Sequence, residues 1–141
     1  MKNYGFTLFE VITVLSLIGI ILAFCVPHIA ADFGYMDKMS GEFLSDVRFI
    51  QMEAMKRPVP QYSLLVDSDN GKYYLRKSSS DIKVVSFKNR YSISYTGRGV
   101  LYFTIEGIPV HPGTFTIVDK KTNDSKSVTI VPATGRTIIL E

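Results

Sequence analysis

The residue with the most chemistry at its disposal is Glu10, the one formal charge in an apolar run from Phe6 to Val26. An acidic side chain in so apolar a stretch costs roughly 2.5–3.5 kcal/mol on membrane-insertion scales. Something must offset that cost. If the chain is cut between Gly5 and Phe6, the new α-amine of Phe6 lies one helical turn from Glu10 along the chain. In staggered copies, the amine of one subunit then meets the carboxylate of its neighbour. A carboxylate left unpaired would disfavour such packing, so the pair acts as a register device. The chemistry is that of ion pairing within an assembly.

The remaining reactive side chains form no catalytic set. His28 stands beside Pro27, and His111 lies in the segment Ile108-Pro-Val-His-Pro-Gly113. Neither has a Cys or a paired carboxylate at metal-ligand spacing, and both read as solvated or packed. Ser78-Ser79-Ser80 has no oriented base and reads as a loop. Asp67, Asp69 and Asn70 share part of a calcium-loop pattern, but the later ligands and the closing Glu are missing, which leaves a turn. Tyr73, Tyr74, Tyr91, Tyr95 and Tyr102 alternate on expected strands and suit cross-strand packing. The sequence therefore calls for no enzyme activity, metal or cofactor.

The elements that must position Glu10 follow from patterning. The run from Phe6 to Val26 is close to the ~20 residues with which a helix crosses a bilayer core. Three other readings fit the same stretch less well. A secretory signal cleaved near Ala30-Ala31 would have only Lys2 as its basic region. A lipoprotein signal at Cys25 would be preceded by the bulky Phe24, and a plain anchor has no use for Glu10. Pro27 removes a backbone donor, so a bend or local unwinding is expected there. Beyond it, Phe43, Val47, Ile50 and Ala54 recur at helical period, with Glu42, Asp46, Arg48 and Glu53 assigned to the opposite face. Lys56-Arg57 favour a helix C-terminus, and Pro58 and Pro60 stop it. If the two halves are continuous, the rod is about 50 residues, or roughly 75 Å, long.

After Pro60 the period changes to two. Strands are expected over 62–66, 72–76, 82–87, 91–95, 100–105, 114–118, 127–131 and 137–140. Asn70-Gly71 would supply the positive-φ positions of a hairpin, and Gly97-Arg98-Gly99 a second turn. Short strands at this spacing indicate an antiparallel sheet pair, with the helix stripe covering one face. The expected fold is α+β: a long N-terminal helix, half transmembrane and half amphipathic, packed on an antiparallel β-sheet or sandwich domain. Its parts are a leader (1–5), a transmembrane helix (6–26), an amphipathic continuation (27–57) and one globular β domain (58–141). The chain has 141 residues, enough for one modest domain beyond the membrane segment. Its net charge of +3 is too small to name a partner. With Cys25 as its one cysteine, no intramolecular disulfide can form.

The stretch Gly5-Phe6-Thr7-Leu8-Phe9-Glu10, followed by an apolar helix and Pro27, resembles the class III signal of type IV prepilins and pseudopilins. The resemblance implies cleavage after Gly5 by a membrane-embedded prepilin peptidase, N-methylation of Phe6, and packing into a thin filament through Glu10. Further on, Leu101-Tyr-Phe-Thr-Ile-Glu-Gly-Ile-Pro109, Gly113-Thr-Phe-Thr-Ile117 and Val128-Thr-Ile-Val-Pro-Ala-Thr-Gly135-Arg136 look like the end of the H-type minor pseudopilins and their T-type fimbrial relatives. The helix from Asp46 to Arg57 is similar to the same family, whereas Tyr62 to Gly99 matches nothing specific. The implied role is structural: a low-abundance subunit of a type IV pilus or type II secretion pseudopilus. It would be held in the inner membrane by a single pass, with its globular domain on the outer face. Implied partners are other pilin or pseudopilin subunits, the peptidase and the inner-membrane assembly platform. Some T-type minor pilins of DNA-uptake pili bind DNA near the C-terminal end. Lys120, Lys121, Lys126 and Arg136, on two neighbouring expected turns, are the corresponding candidate phosphate contacts here, although Asp119 and Asp124 are interleaved with them.

Overall fold

The computed structural model describes residues 7–32, 34–56 and 61–140, with the side chains of 25–32 outside that description. It divides into two compact units, Met1–Tyr35 and Met36–Glu141. The first is built on α1, Leu8–Asp32. Its polar side chains satisfy themselves locally: Thr13 and Ser16 hydroxyls donate to the carbonyls of Phe9 and Ile12, each at 2.8 Å. Hydroxyls bonded in this way can sit in an apolar helix at little cost. The helix passes through Pro27 and ends at Asp32. The local unwinding expected at Pro27 is therefore not where the helical stretch breaks. The break comes at Gly34, whose φ of 74° is the left-handed conformation that glycine supplies after a helix end. Among the described residues no helix is long and apolar enough to cross a membrane.

The second unit begins one residue into α2, Tyr35–Lys56, which has Asp37 in its first turn and Lys56 in its last, as the helix dipole favours. Lys56 also pairs with Glu53 at 2.8 Å. Met39, Phe43, Val47, Ile50 and Ala54 form the buried stripe. Asp46 belongs to it as well, at 8% exposure, contrary to its expected place on the solvent face. Asp46 stands three residues after Phe43 and four before Ile50, which puts it on the same face as both. The residue type suggested a solvent position; the spacing decided otherwise.

Nine strands follow among the described residues: β1 Tyr62–Asp67, β2 Lys72–Lys77, β3 Ser80–Ser86, β4 Tyr91–Tyr95, β5 Val100–Phe103, β6 Pro109–Val110, β7 Thr114–Asp119, β8 Ser125–Ile130 and β9 Thr137–Leu140. All eight expected strands are present. The addition, β6, has two residues and begins with proline, too short for a period-two signal. Two antiparallel sheets result, ordered β3-β2-β1-β5-β6 and β4-β7-β8-β9. In the β1–β2 hairpin only Gly71 is left-handed, at φ 59°. Asn70 keeps φ negative, and the Asp67 carboxylate holds the turn by accepting from the Asn70 backbone N–H at 3.1 Å and from its Nδ2 at 2.8 Å.

Alternation sorts each sheet into two faces. Leu64, Val66, Tyr73, Leu75, Val85, Leu101 and Phe103 point inward from the first sheet, and Ile93, Phe115, Ile117, Val128 and Ile130 from the second. Phe43 of α2 joins them, with its ring stacked on Phe115 at 4.0 Å and set edge-on to Tyr73 at 5.3 Å. The architecture is the expected α+β arrangement of an N-terminal helix followed by antiparallel sheets.

Candidate assembly surface

The start of α1 is fixed by Thr7. Its Oγ1 accepts the backbone N–H of Glu10 at 3.3 Å, and its carbonyl accepts that of Val11 at 3.2 Å. Thr7 is thus the N-cap and Glu10 the third helical residue, the spacing of a capping box. A carboxylate there also faces the positive end of the helix dipole. Glu10 borders a shallow groove lined by Val11, Val14 and Leu15, and its side chain has no partner among the described residues. Leu8 and Phe9 are about four-fifths exposed, at 79% and 80%, and the apolar side chains from Val11 to Phe24 are exposed in turn. Burying such a surface is favourable at about 25 cal/mol per Å². Gly5 and Phe6, the expected processing site, lie outside the described residues, as does the side chain of His28.

In the second unit the four candidate DNA contacts do not share a surface. Lys120 and Lys121 stand in the β7–β8 turn, whereas Arg136 stands in the β8–β9 turn. Successive turns of an antiparallel meander lie at opposite ends of the shared strand. The six residues of β8 separate them by roughly 20 Å. The expectation of neighbouring turns held along the chain but not in space. Lys126 points from β8 to the Asp37 carboxylate of α2, its side chain 14% exposed. Lys120 donates to the Asn89 carbonyl at 3.0 Å. These cations are spent on the fold.

Two polar clusters escaped the sequence. In the first, Asp46 accepts from the Tyr73 hydroxyl at 2.8 Å and from Lys83 Nζ at 2.8 and 3.1 Å. Lys83 also pairs with Glu42 at 2.8 Å. Burial, reinforced by the Asp46 bond and charge, pushes the Tyr73 hydroxyl pKa far above its ordinary value. Burial works against the Lys83 ammonium, but its bonds to Asp46 and Glu42 outweigh that and raise its pKa. In the second, Arg90 grips Asp119 through Nε at 2.8 Å and Nη2 at 2.5 Å. The Arg90 hydrogen bond, opposed by burial and helped by the Lys121 backbone N–H, holds the Asp119 carboxyl at about 2. The one available sequence signal for the first cluster was the position of Asp46 on the apolar stripe.

His111 adopts φ 58° in the loop joining β6 to β7. Its Nδ1 lies 3.3 Å from the Val100 carbonyl, and its own carbonyl accepts the Tyr95 hydroxyl at 2.8 Å. It ties this loop to the end of β4 and the start of β5. Among the described residues no group of three His, Cys, Asp or Glu could hold a metal ion.

Residues 1–26 match the prokaryotic N-terminal methylation motif. The structure is similar to that of the minor pseudopilin EpsH from the Type 2 Secretion System of Vibrio cholerae. The TM-score is 0.58 at 15% identity, over 74% of this chain and 95% of that chain. No curated protein matches the sequence. The chain thus carries a prepilin-type methylation motif at its N-terminus, and its fold is similar to that of the minor pseudopilin EpsH.

Proposed function

We propose that this chain is a minor pilin or pseudopilin, a structural subunit that enters a type IV pilus or a type II secretion pseudopilus through α1. The observation that carries the reading is Glu10, placed by the Thr7 cap at the start of a helix whose other described side chains, 8–24, are uncharged and mostly apolar, inside a matched methylation motif. Prepilin peptidase cuts after Gly5, Phe6 is N-methylated, and the new amine neutralises Glu10 of the adjoining copy. Before assembly α1 anchors the subunit in the inner membrane, with the sheet unit on the outer face. The assembly platform then moves it into the filament. No step calls on catalysis by the subunit.

Intact-mass and N-terminal analysis of the exported chain tests the processing. The expected species begins at methylated Phe6; a chain retaining Met1, or one beginning at Asp32, overturns the reading. Replacing Glu10 by Ala should leave the sheet unit folded yet remove most incorporation into filaments. Normal incorporation of that variant refutes the ion pair. The alternative, a DNA-binding minor pilin of a DNA-uptake pilus, would rest on Lys120, Lys121, Lys126 and Arg136, which stand on two turns at opposite ends of β8 and on β8 itself.

A further inference from the structure

Three connections of the sheet unit meet at one end. The β1–β2 turn, the β3–β4 connection and the β7–β8 turn enclose a cleft of about 170 Å³. Backbone bonds stitch them together: the Phe87 N–H donates to the Gly71 carbonyl at 2.9 Å, and the Lys120 N–H donates to the Arg90 carbonyl at 3.0 Å. Each connection brings one charge to the walls, Asp69 from the first, Lys88 from the second and Lys120 from the third. The Lys120 ammonium donates to the Asn89 carbonyl at 3.0 Å. An ammonium has three hydrogens to give, so two remain for a further acceptor. One carboxylate beside two ammoniums suits a ligand that carries both signs, its anion toward the lysines and its cation toward Asp69.

The place of this end in the chain says which such group is at hand. Lys126, next to the β7–β8 turn, is bonded to Asp37 in the first turn of α2. Gln51, toward the other end of α2, donates to the Gly107 carbonyl at 3.0 Å and lies beside Gly135 of the β8–β9 turn. The cleft is therefore at the end of the sheet unit where α2 begins. Asp37 follows Asp32, the last residue of α1, by five positions, a tether of at most ~18 Å. With α1 in a bilayer, this is the end held over the lipid headgroups.

We infer that the cleft seats the headgroup of a bilayer lipid that joins a phosphate to a primary ammonium, as phosphoethanolamine does. Lys88 and Lys120 take the phosphate oxygens, and Asp69 takes the ammonium. Each contact is weak alone, because the cleft is open to water. Anchoring makes it effective by keeping the headgroup close at hand. The inference rests on the anchoring of α1 proposed above and adds to it a polar contact between the unassembled subunit and its membrane. That contact steadies the sheet unit on the bilayer surface until the subunit leaves for the filament.

The test uses the full chain in vesicles of phosphatidylethanolamine and phosphatidylglycerol, with flotation as the check that it is anchored. A carbodiimide activates exposed carboxylates, the lipid amine displaces the urea, and fragment mass spectrometry locates the amide formed. Asp69 should carry roughly tenfold more lipid than Asp124, an exposed carboxylate in the β7–β8 turn at the same end, because seating raises the local amine concentration. Lys88→Gln together with Lys120→Gln should bring Asp69 down to the level of Asp124 while flotation and the thermal melt stay unchanged. If the paired change lowers the melt, Lys88→Gln alone serves, with the same outcomes. Equal adducts at Asp69 and Asp124 in a floating chain, or an Asp69 adduct that the lysine changes leave intact, overturns the headgroup seat alone. A chain that does not float overturns the anchoring and the seat with it. Free phosphoethanolamine, offered to the chain in detergent at the same bulk amine concentration, should discriminate less between the two carboxylates, and equal discrimination overturns a lipid as the occupant.

Discussion

Asp46 offers the sharpest test of how α2 is fastened to the sheets. Its carboxylate lies 2.8 Å from the Tyr73 hydroxyl and from Lys83 Nζ, and Tyr73 is fully buried. Replacing Asp46 by Ala removes a hydrogen bond to a charged acceptor, worth about 1.5–3 kcal/mol, and leaves the Tyr73 hydroxyl buried without a partner. Lys83 retains Glu42 and partial solvent access, so its share of the loss is small. The expected destabilisation is about 2–4 kcal/mol. Tyr73→Phe deletes the hydroxyl while leaving Asp46 with Lys83, and should cost about 1–2 kcal/mol. In the double variant the orphaned hydroxyl no longer exists, so the combined cost should fall below the sum by about 1–2 kcal/mol. Urea unfolding of the full chain in detergent, followed by circular dichroism, measures all three. Additive costs within ~0.5 kcal/mol would refute the claim that the two groups act as one buried unit.

Two further outcomes follow from the same packing. A Cβ at Gly135, whose φ is 63°, would lie 2.8 Å from the Gly107 carbonyl oxygen and 3.1 Å from the Phe103 ring. Gly135→Ala should therefore lower stability by about 2–3 kcal/mol in urea unfolding, left-handed strain and overpacking together, and an unchanged midpoint would contradict the packing. The pH dependence has two limbs. Burial raises Tyr73 and lifts Tyr95 to about 12, and Lys83 is raised as well. Above pH ~10 the unfolded chain loses these protons first, so stability should fall as the solution becomes alkaline. Asp119, held at about 2 against an ordinary 3.8, contributes stability above its unfolded value that is lost as pH falls toward 2. Arg90→Ala should flatten the acid limb in a pH series of thermal melts, and an unaltered limb would remove Asp119 as its cause.

The sequence revealed the fold wherever one periodicity ruled. The α2 stripe from Phe43 to Ala54 and the eight longer strands were legible because burial repeats along them. Contacts between segments distant in the chain were not. Asp46 reads as a surface acid until Tyr73 and Lys83, on two different strands, are brought beside it. Lys120 and Arg136 look adjacent until β8 is drawn out as a straight strand between them. The helix break shows a different limit. Pro27 and Gly34 are both breakers on paper; a proline can be carried within a helix at the loss of one donor, whereas the left-handed turn at Gly34 cannot be. Glu10 was legible because a lone charge among apolar neighbours is conspicuous without any tertiary context; its role in assembly belongs to the proposed function.

The buried core is assembled from Met39 onward. In the proposed function, whatever surrounds the greasy stretch at the front of the chain is exchanged, lipid for protein, while this core is already complete. A subunit of that kind would be handed from a bilayer to a polymer as a finished part.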